Sequence, residues 1–119
     1  MTSPTAALLP ITEQDFQGQI IELAHLRGYR VAHFRPAMTA RGWRTPISAD
    51  GAGFPDLVLA RPARTPDKGR LICVEVKGRR APLSEAQQHW NTVLTLAGAE
   101  AYIWRVGEIT IEQIAEVLR

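Results

Sequence analysis

The segment "LICVEVK" at positions 71–77 constrains this chain more than any other stretch. Side chains in an extended strand alternate between faces, so Leu71, Cys73, Glu75 and Lys77 share one side while Ile72, Val74 and Val76 share the other. Both sides are largely apolar, which is the pattern of a strand covered on both faces by further layers. A carboxylate and an ammonium in such a strand carry a substantial desolvation cost unless they pair or bind something. Two readings stay open from this segment alone. One is an edge strand whose half-wet face carries a Glu–Lys pair; the other is a covered strand that delivers charge to a site.

The surrounding text supplies the layers. "TEQDFQGQIIELAHLRGY" reads as a helix, with Thr12 as N-cap, Asp15 in its first turn, Phe16, Ile20, Leu23 and Ala24 at helical spacing, and Gly28 placed to end it. "RVAHF" follows as a short strand. Positions 35–54 show no clear periodicity and read as a long loop. "DLVLA" (56–60) is a strand, then comes the turn-rich "RPARTPDKGR", and then the strand 71–77. Ser84 with Gln87 three residues on is a capping-box pattern that opens a helix carrying Trp90, Val93 and Leu94, which Gly98 stops. "EAYIWRV" is a last strand and "TIEQIAEVL" a short closing helix. The order α-β-β-β-α-β-α predicts an α/β domain with a mixed four-stranded sheet flanked by helices.

A chain of 119 residues fits one domain of ordinary size, and 45% hydrophobic with 22% charged residues is a globular composition. Residues 1–11, with two prolines, read as a flexible lead-in, and 12–119 as the domain. No apolar run approaches the roughly 20 residues that a membrane span needs, and no secretory pattern opens the chain. The single cysteine, Cys73, excludes an intramolecular disulfide and a zinc cluster, so a cytoplasmic setting is expected. Net charge is only +2, but it is segregated: positions 27–80 hold twelve Lys/Arg against four Asp/Glu, and the rest holds two against eight. Such a bias favours a polyanion-facing surface, the alternative being a solvated basic face without a partner.

Asp56 sharpens the reading of 71–77. The connection between "DLVLA" and "LICVEVK" is too short for a helical crossover, so the two strands are expected to be antiparallel neighbours. Asp56 at the start of one then comes within reach of Glu75 and Lys77 near the end of the other. Two carboxylates converging on one point repel unless a cation joins them, and hard oxygen donors suit Mg²⁺ or Mn²⁺. A cation there activates water and offsets charge on a phosphate oxygen, with Lys77 to orient or deprotonate the water.

Pro55-Asp56 followed by Glu75-Val76-Lys77 resembles the PD-(D/E)xK pattern of the restriction-endonuclease-like nuclease superfamily. With "GFPDL", "VEVKG" and "PLSEAQQHW", the chain from about Glu13 to Val106 looks like the VRR-NUC family, whose small stand-alone members occur in bacteria and phages. The resemblance implies a single restriction-endonuclease-like domain and a metal-dependent DNA endonuclease in a bacterial cell or phage-infected host. It implies that Asp56, Glu75 and the main-chain carbonyl of Val76 hold Mg²⁺ or Mn²⁺, that Lys77 is the catalytic lysine, and that Gln87 stands near the active site. A first-helix contribution would come from Glu13 or Gln17, a choice the sequence leaves open. The small relatives act on branched DNA as homodimers, so a Holliday-junction-like substrate is expected, with no small-molecule cofactor. A sequence-specific restriction-type or nicking endonuclease on the same core, and a non-cleaving nucleic-acid-binding module, remain as alternatives.

Arg79 and Arg80, directly after the motif strand, are candidate phosphate contacts, and Arg41, Trp43 and Arg44 in the long loop are candidate DNA contacts, with Trp43 able to stack on an unpaired base. Arg61, Arg64, Lys68 and Arg70 read as a solvated turn. His33 and His89 have no ligand-spaced partners and read as ordinary histidines, Trp90 and Trp104 as core packing, and Cys73 as buried filler.

Overall fold

The computed structural model describes residues 11–34, 37–40, 42–44 and 47–119, and the side chains of residues 37–39, 43 and 44 fall outside that description. The expected lead-in therefore lies outside the described residues except for Ile11, which packs against the core.

Helix α1 spans Glu13–Leu26. It starts where the Thr12 hydroxyl accepts the Asp15 N–H at 3.0 Å, satisfying one of the donors that a helix start leaves free. It stops where Gly28 adopts φ +88°, a left-handed conformation that costs a glycine nothing. The chain continues through β1 (Arg30–His33), a small hairpin of β2 (Ala37–Thr39) and β3 (Gly42–Arg44), then β4 (Leu57–Arg61), β5 (Arg70–Lys77), α2 (Glu85–Leu96), β6 (Glu100–Arg105) and α3 (Ile111–Val117). Both α2 and α3 open with a complete capping box, from Ser84 with Gln87 and from Thr110 with Gln113.

The main sheet has the order β1-β4-β5-β6. Strands β1, β4 and β5 pair antiparallel, β4 and β5 across a short connection and β1 and β4 across the long 34–56 segment, while β6 runs parallel to β5 and needs the α2 crossover to do so. Among the described residues this is the expected α/β architecture: a mixed four-stranded sheet with three helices in the order α-β-β-β-α-β-α. The expectation of an unbroken loop over 35–54 is corrected by the β2–β3 hairpin. Strands of three residues are too short to show a period of two in the sequence.

The two faces of the sheet are not equivalent. Leu57, Leu59, Ile72, Val74, Val76 and Trp104 pack with Phe16, Ile20 and Ala24 of α1 and with Ile114 and Leu118 in one buried cluster. Each aliphatic side chain fully buried there contributes about 1.5–3 kcal/mol relative to exposure, so this face is where the fold is held together. The other face is covered thinly, because α2 has no fully buried residue. Trp90 is accordingly half-buried rather than a core residue, which corrects the sequence reading, while Trp104 is core as expected. β5 is buried from Ile72 to Lys77, but Leu71 is 50% exposed, so the covered-strand reading fails at that one position. Among the described residues no helix is long and apolar enough to cross a membrane.

Candidate active site

The β4–β5 register pairs Leu57 with Val74, which leaves Asp56, one residue before β4, facing the end of β5. Asp56 is fixed from two directions. Its carbonyl accepts the Phe34 N–H at 2.9 Å, and its Oδ2 accepts the Val76 N–H at 2.9 Å. Glu75, 5% exposed, lies on the thinly covered face, where its Oε2 accepts the side-chain amide of Gln87 at 3.2 Å and stands 4.0 Å from Lys77 Nζ. Gln87 is held in turn by the capping box, since its Oε1 accepts the Ser84 N–H at 2.9 Å. One side chain thus closes the N-terminus of α2 and orients a buried carboxylate.

The carboxylate of Asp56 lies near enough to that of Glu75 to act on its charge. Burial, then the charge of Asp56 and the bond shared with it, push the Glu75 carboxyl up to about 8; Glu13 adds to this and Lys77 opposes it. Glu75 Oε1 is buried, and among the described residues no N–H or O–H donor meets it. An orphaned carboxylate oxygen beside a second carboxylate is costly in a folded protein unless a cation or proton meets it. Two hard oxygen donors converging in this way fit a divalent cation of the Mg²⁺ or Mn²⁺ kind. Among the described residues no third histidine, cysteine or carboxylate completes a metal-binding group, so further positions would fall to a main-chain carbonyl such as that of Val76 and to oxygens from outside the chain.

The structure also bears on the first helix. Glu13, at the start of α1, contributes to the electrostatic surroundings of Glu75, and its Oε2 would lie 3.5 Å from a Cβ placed on Gly78, directly after Lys77. Gln17 is half-buried one turn further along the same helix. Cys73 is buried next to the site, and burial raises its thiol, as suits an inert filler.

With this geometry in view, comparison with known families is decisive: the VRR-NUC domain model matches residues 14–108. The chain belongs to the VRR-NUC family. No curated protein and no solved structure matches it. A VRR-NUC domain is a nuclease-type domain, which makes DNA the substrate class.

The remaining candidates of this VRR-NUC domain divide. Arg79 and Arg80 are exposed beside the site, with the Arg79 guanidinium lying over Gly107. Arg41 lies outside the described residues; Trp43 and Arg44 belong to β3, their side chains outside the description. His33 is half-buried on β1 and His89 exposed on α2. The turn between β4 and β5 is corrected most. Arg64 and Lys68 are exposed as expected, but Arg61 is 7% exposed and Arg70 is partly buried and fully engaged. Arg61 donates to the carbonyls of Arg27, Leu118 and Arg119 and lies 4.6 Å from the centre of the Tyr29 ring. Arg70 makes a two-pronged pair with Glu100 and donates to Tyr29 Oη and to the Val117 carbonyl. Strand alternation alone does not reveal this, because the acceptors, four carbonyls at helix ends with the Glu100 carboxylate and the Tyr29 hydroxyl, are distant in sequence.

Two further elements support the site, of which Arg105 escaped the sequence reading and Gly53 did not. Arg105 donates to the carbonyls of Gly78 and Ala81 and so pins the segment between Lys77 and α2. Gly53, at φ +82°, lies so close to α2 that a Cβ would meet Ala86 Cβ at 2.6 Å and Gln87 N at 2.7 Å. The visible signal was the glycine itself, two residues before Pro55.

Proposed function

We propose that this VRR-NUC domain is an Mg²⁺- or Mn²⁺-dependent endodeoxyribonuclease that hydrolyses phosphodiester bonds in branched DNA, with four-way junctions as preferred substrate and a homodimer as the working unit. The observation that carries the catalytic part is the convergence of Asp56 and Glu75 with a buried carboxylate oxygen left without a partner. Asp56, Glu75 and the Val76 carbonyl would hold the cation. When bound, the cation supplies Lewis-acid activation of water and offsets charge on the phosphate oxygens.

The chain's own residues do the rest. Burial and Asp56 favour the protonated form of Glu75, and its carboxylate form is the one that would hold the cation. Gln87 keeps the Glu75 carboxylate turned inward, and the Val76 N–H does the same for Asp56. Lys77, close to Glu75 and mostly buried, orients the attacking water and accepts or shields its proton. Glu13 adds negative charge near Gly78 and so favours cation occupancy. Arg79 and Arg80 supply phosphate contacts. The branched-DNA preference and the dimer rest on the likeness to small members of the family.

The test compares a four-way junction with linear, nicked and flap substrates of shared sequence, in Mg²⁺ and in Mn²⁺. Paired nicking of the junction is the expected result. Equal cutting of linear duplex would sink the branched-DNA preference, and binding without cutting in either metal would sink the nuclease mechanism in favour of a binding module.

A further inference from the structure

One turn along α2 from Gln87, the helix and Asp50 border a half-open cavity of about 420 Å³ lined by Asp50, His89, Trp90 and Val93. That volume is in the range of pockets that hold small flat ligands, about 300–1,000 Å³. Its walls are the same two elements that build the candidate active site. The segment that ends in Asp56 forms one wall, and the helix that carries Gln87 to Glu75 forms the other. The close approach of Gly53 to Ala86 and Gln87 locks the two walls together.

The indole of Trp90 is held before any ligand arrives. Its Nε1 donates to the Asp50 carbonyl at 3.0 Å, and its ring meets Phe54 edge to face at 5.0 Å and 83°. Phe54 in turn meets Phe34 at 5.6 Å and 88°, so an aromatic row runs from the cavity toward β1 beside Asp56. A ring fixed in this way loses little entropy when another ring stacks on it. Asp50 and His89 are exposed, and an acid among the lining residues disfavours a phosphate while suiting a donor N–H. A ligand that is flat, aromatic, uncharged and bears N–H donors satisfies all four lining residues. A helical turn, about 5.4 Å, is also the scale of one nucleotide step from Gln87.

We propose that this cavity is a base-binding subsite, taking one unstacked nucleobase next to the cleaved phosphate, with Trp90 as its stacking platform and Asp50 accepting from the base's amino group. The inference rests on the DNA endonuclease reading and deepens it: the enzyme selects sites where a base can leave the stack, as at a branch point. Adenine, cytosine and guanine carry an exocyclic amine and thymine does not, so the subsite discriminates against thymine.

The experiment measures the affinity of the full chain for a four-way junction without divalent metal, so that no cutting occurs, while single positions near the branch are replaced one at a time by an abasic residue. One position per strand is expected to weaken binding about 10-fold or more, the scale of a lost base–aromatic stack. Thymine at that position should bind more weakly than adenine, and Asp50→Ala, which removes the acceptor, should erase that preference. Val93→Trp, which fills the cavity from a position 40% exposed, should make intact and abasic junctions bind alike. Uniform affinity across the abasic scan overturns the subsite, and so does an undiminished abasic effect in folded V93W. The scan itself requires no substitution, so it decides the matter even if V93W fails to fold. Base-independent binding removes the subsite and leaves the nuclease reading standing, whereas no binding to any DNA removes both.

Discussion

Strands β4 and β5 carry charge at both of their ends, and the two ends are finished in different ways. At the turn end, Arg61 and Arg70 are paired in register, and the guanidiniums of both meet strong acceptors: three carbonyls for Arg61, and a carboxylate, a phenol and a carbonyl for Arg70. The carbonyls belong to the C-terminal ends of α1 and α3, where positive charge is favoured by the helix dipole. At the other end, Asp56, Glu75 and Lys77 leave a buried oxygen without a partner, and burial beside a second carboxylate holds Glu75 far above its ordinary range. Buried charge that is fully satisfied stiffens a fold; buried charge that is left short waits for a ligand. The same pair of strands does both, and the distinction lies in the partners supplied, acceptors for the guanidiniums at one end and too few donors for the carboxylates at the other, not in the strands.

The largest way to break this comparison is Glu75→Gln. Cleavage should fall about 10³-fold or more, on the scale of losing a central electrostatic contributor in an active site, while the unfolding temperature holds or rises. The stability gain has a sign that can be worked out. A carboxyl raised in the folded state from 4.5 to about 8 contributes stability that is fully present below pH 4.5 and lost as pH climbs through 8. The metal-free protein should therefore lose stability across that window, Mg²⁺ or Mn²⁺ should restore it at the upper end, and Glu75→Gln should flatten the profile in calorimetry. A steep profile retained in the variant would place the titration elsewhere.

At the turn end the expectation is reversed. Arg61→Met leaves three carbonyls short of their donor, which should cost about 2–4 kcal/mol in denaturant unfolding, while the metal dependence of whatever activity remains is unchanged. If the substitution instead shifts the metal requirement without lowering stability, the division between structural and functional ends is wrong. Gly53→Ala is milder and tests the link between loop and site. A Cβ at 2.6 Å from Ala86 on a left-handed backbone should cost about 1–3 kcal/mol. It should also lower activity by pushing Gln87 away from Glu75, an effect that a purely local strain would not produce. The smallest effect belongs to the exposed arginines: Arg79→Ala or Arg80→Ala should reduce the salt slope of DNA binding by about one each and leave stability untouched.

Much of this was legible before the chain was folded. Thr12, Ser84 and Gly28 marked helix ends because capping chemistry is local. The antiparallel pairing of β4 with β5 followed from the length of their connection, and with it the meeting of Asp56, Glu75 and Lys77. The β2–β3 hairpin was too short to announce itself by periodicity. Trp90 read as a core residue because its spacing is helical and apolar, and spacing says that a face is covered without saying by how much.

What the sequence determined by itself is whatever depends on neighbours in the chain: the order of helices and strands, the alternation that puts Glu75 and Lys77 on one face of β5, and the motif that marks the family. What the tertiary structure decided is which charges are satisfied. Arg61, Arg70, Glu75 and Lys77 are all strand-end charges in the sequence, and nothing local separates them. The separation comes from backbone carbonyls of residues 27 and 117–119, with Glu100 and Tyr29, meeting one end, and from Gln87 and the Val76 N–H meeting the other while one Glu75 oxygen is left short. A hydrogen bond requires a partner within about 3 Å, and only the folded chain can say who has arrived there.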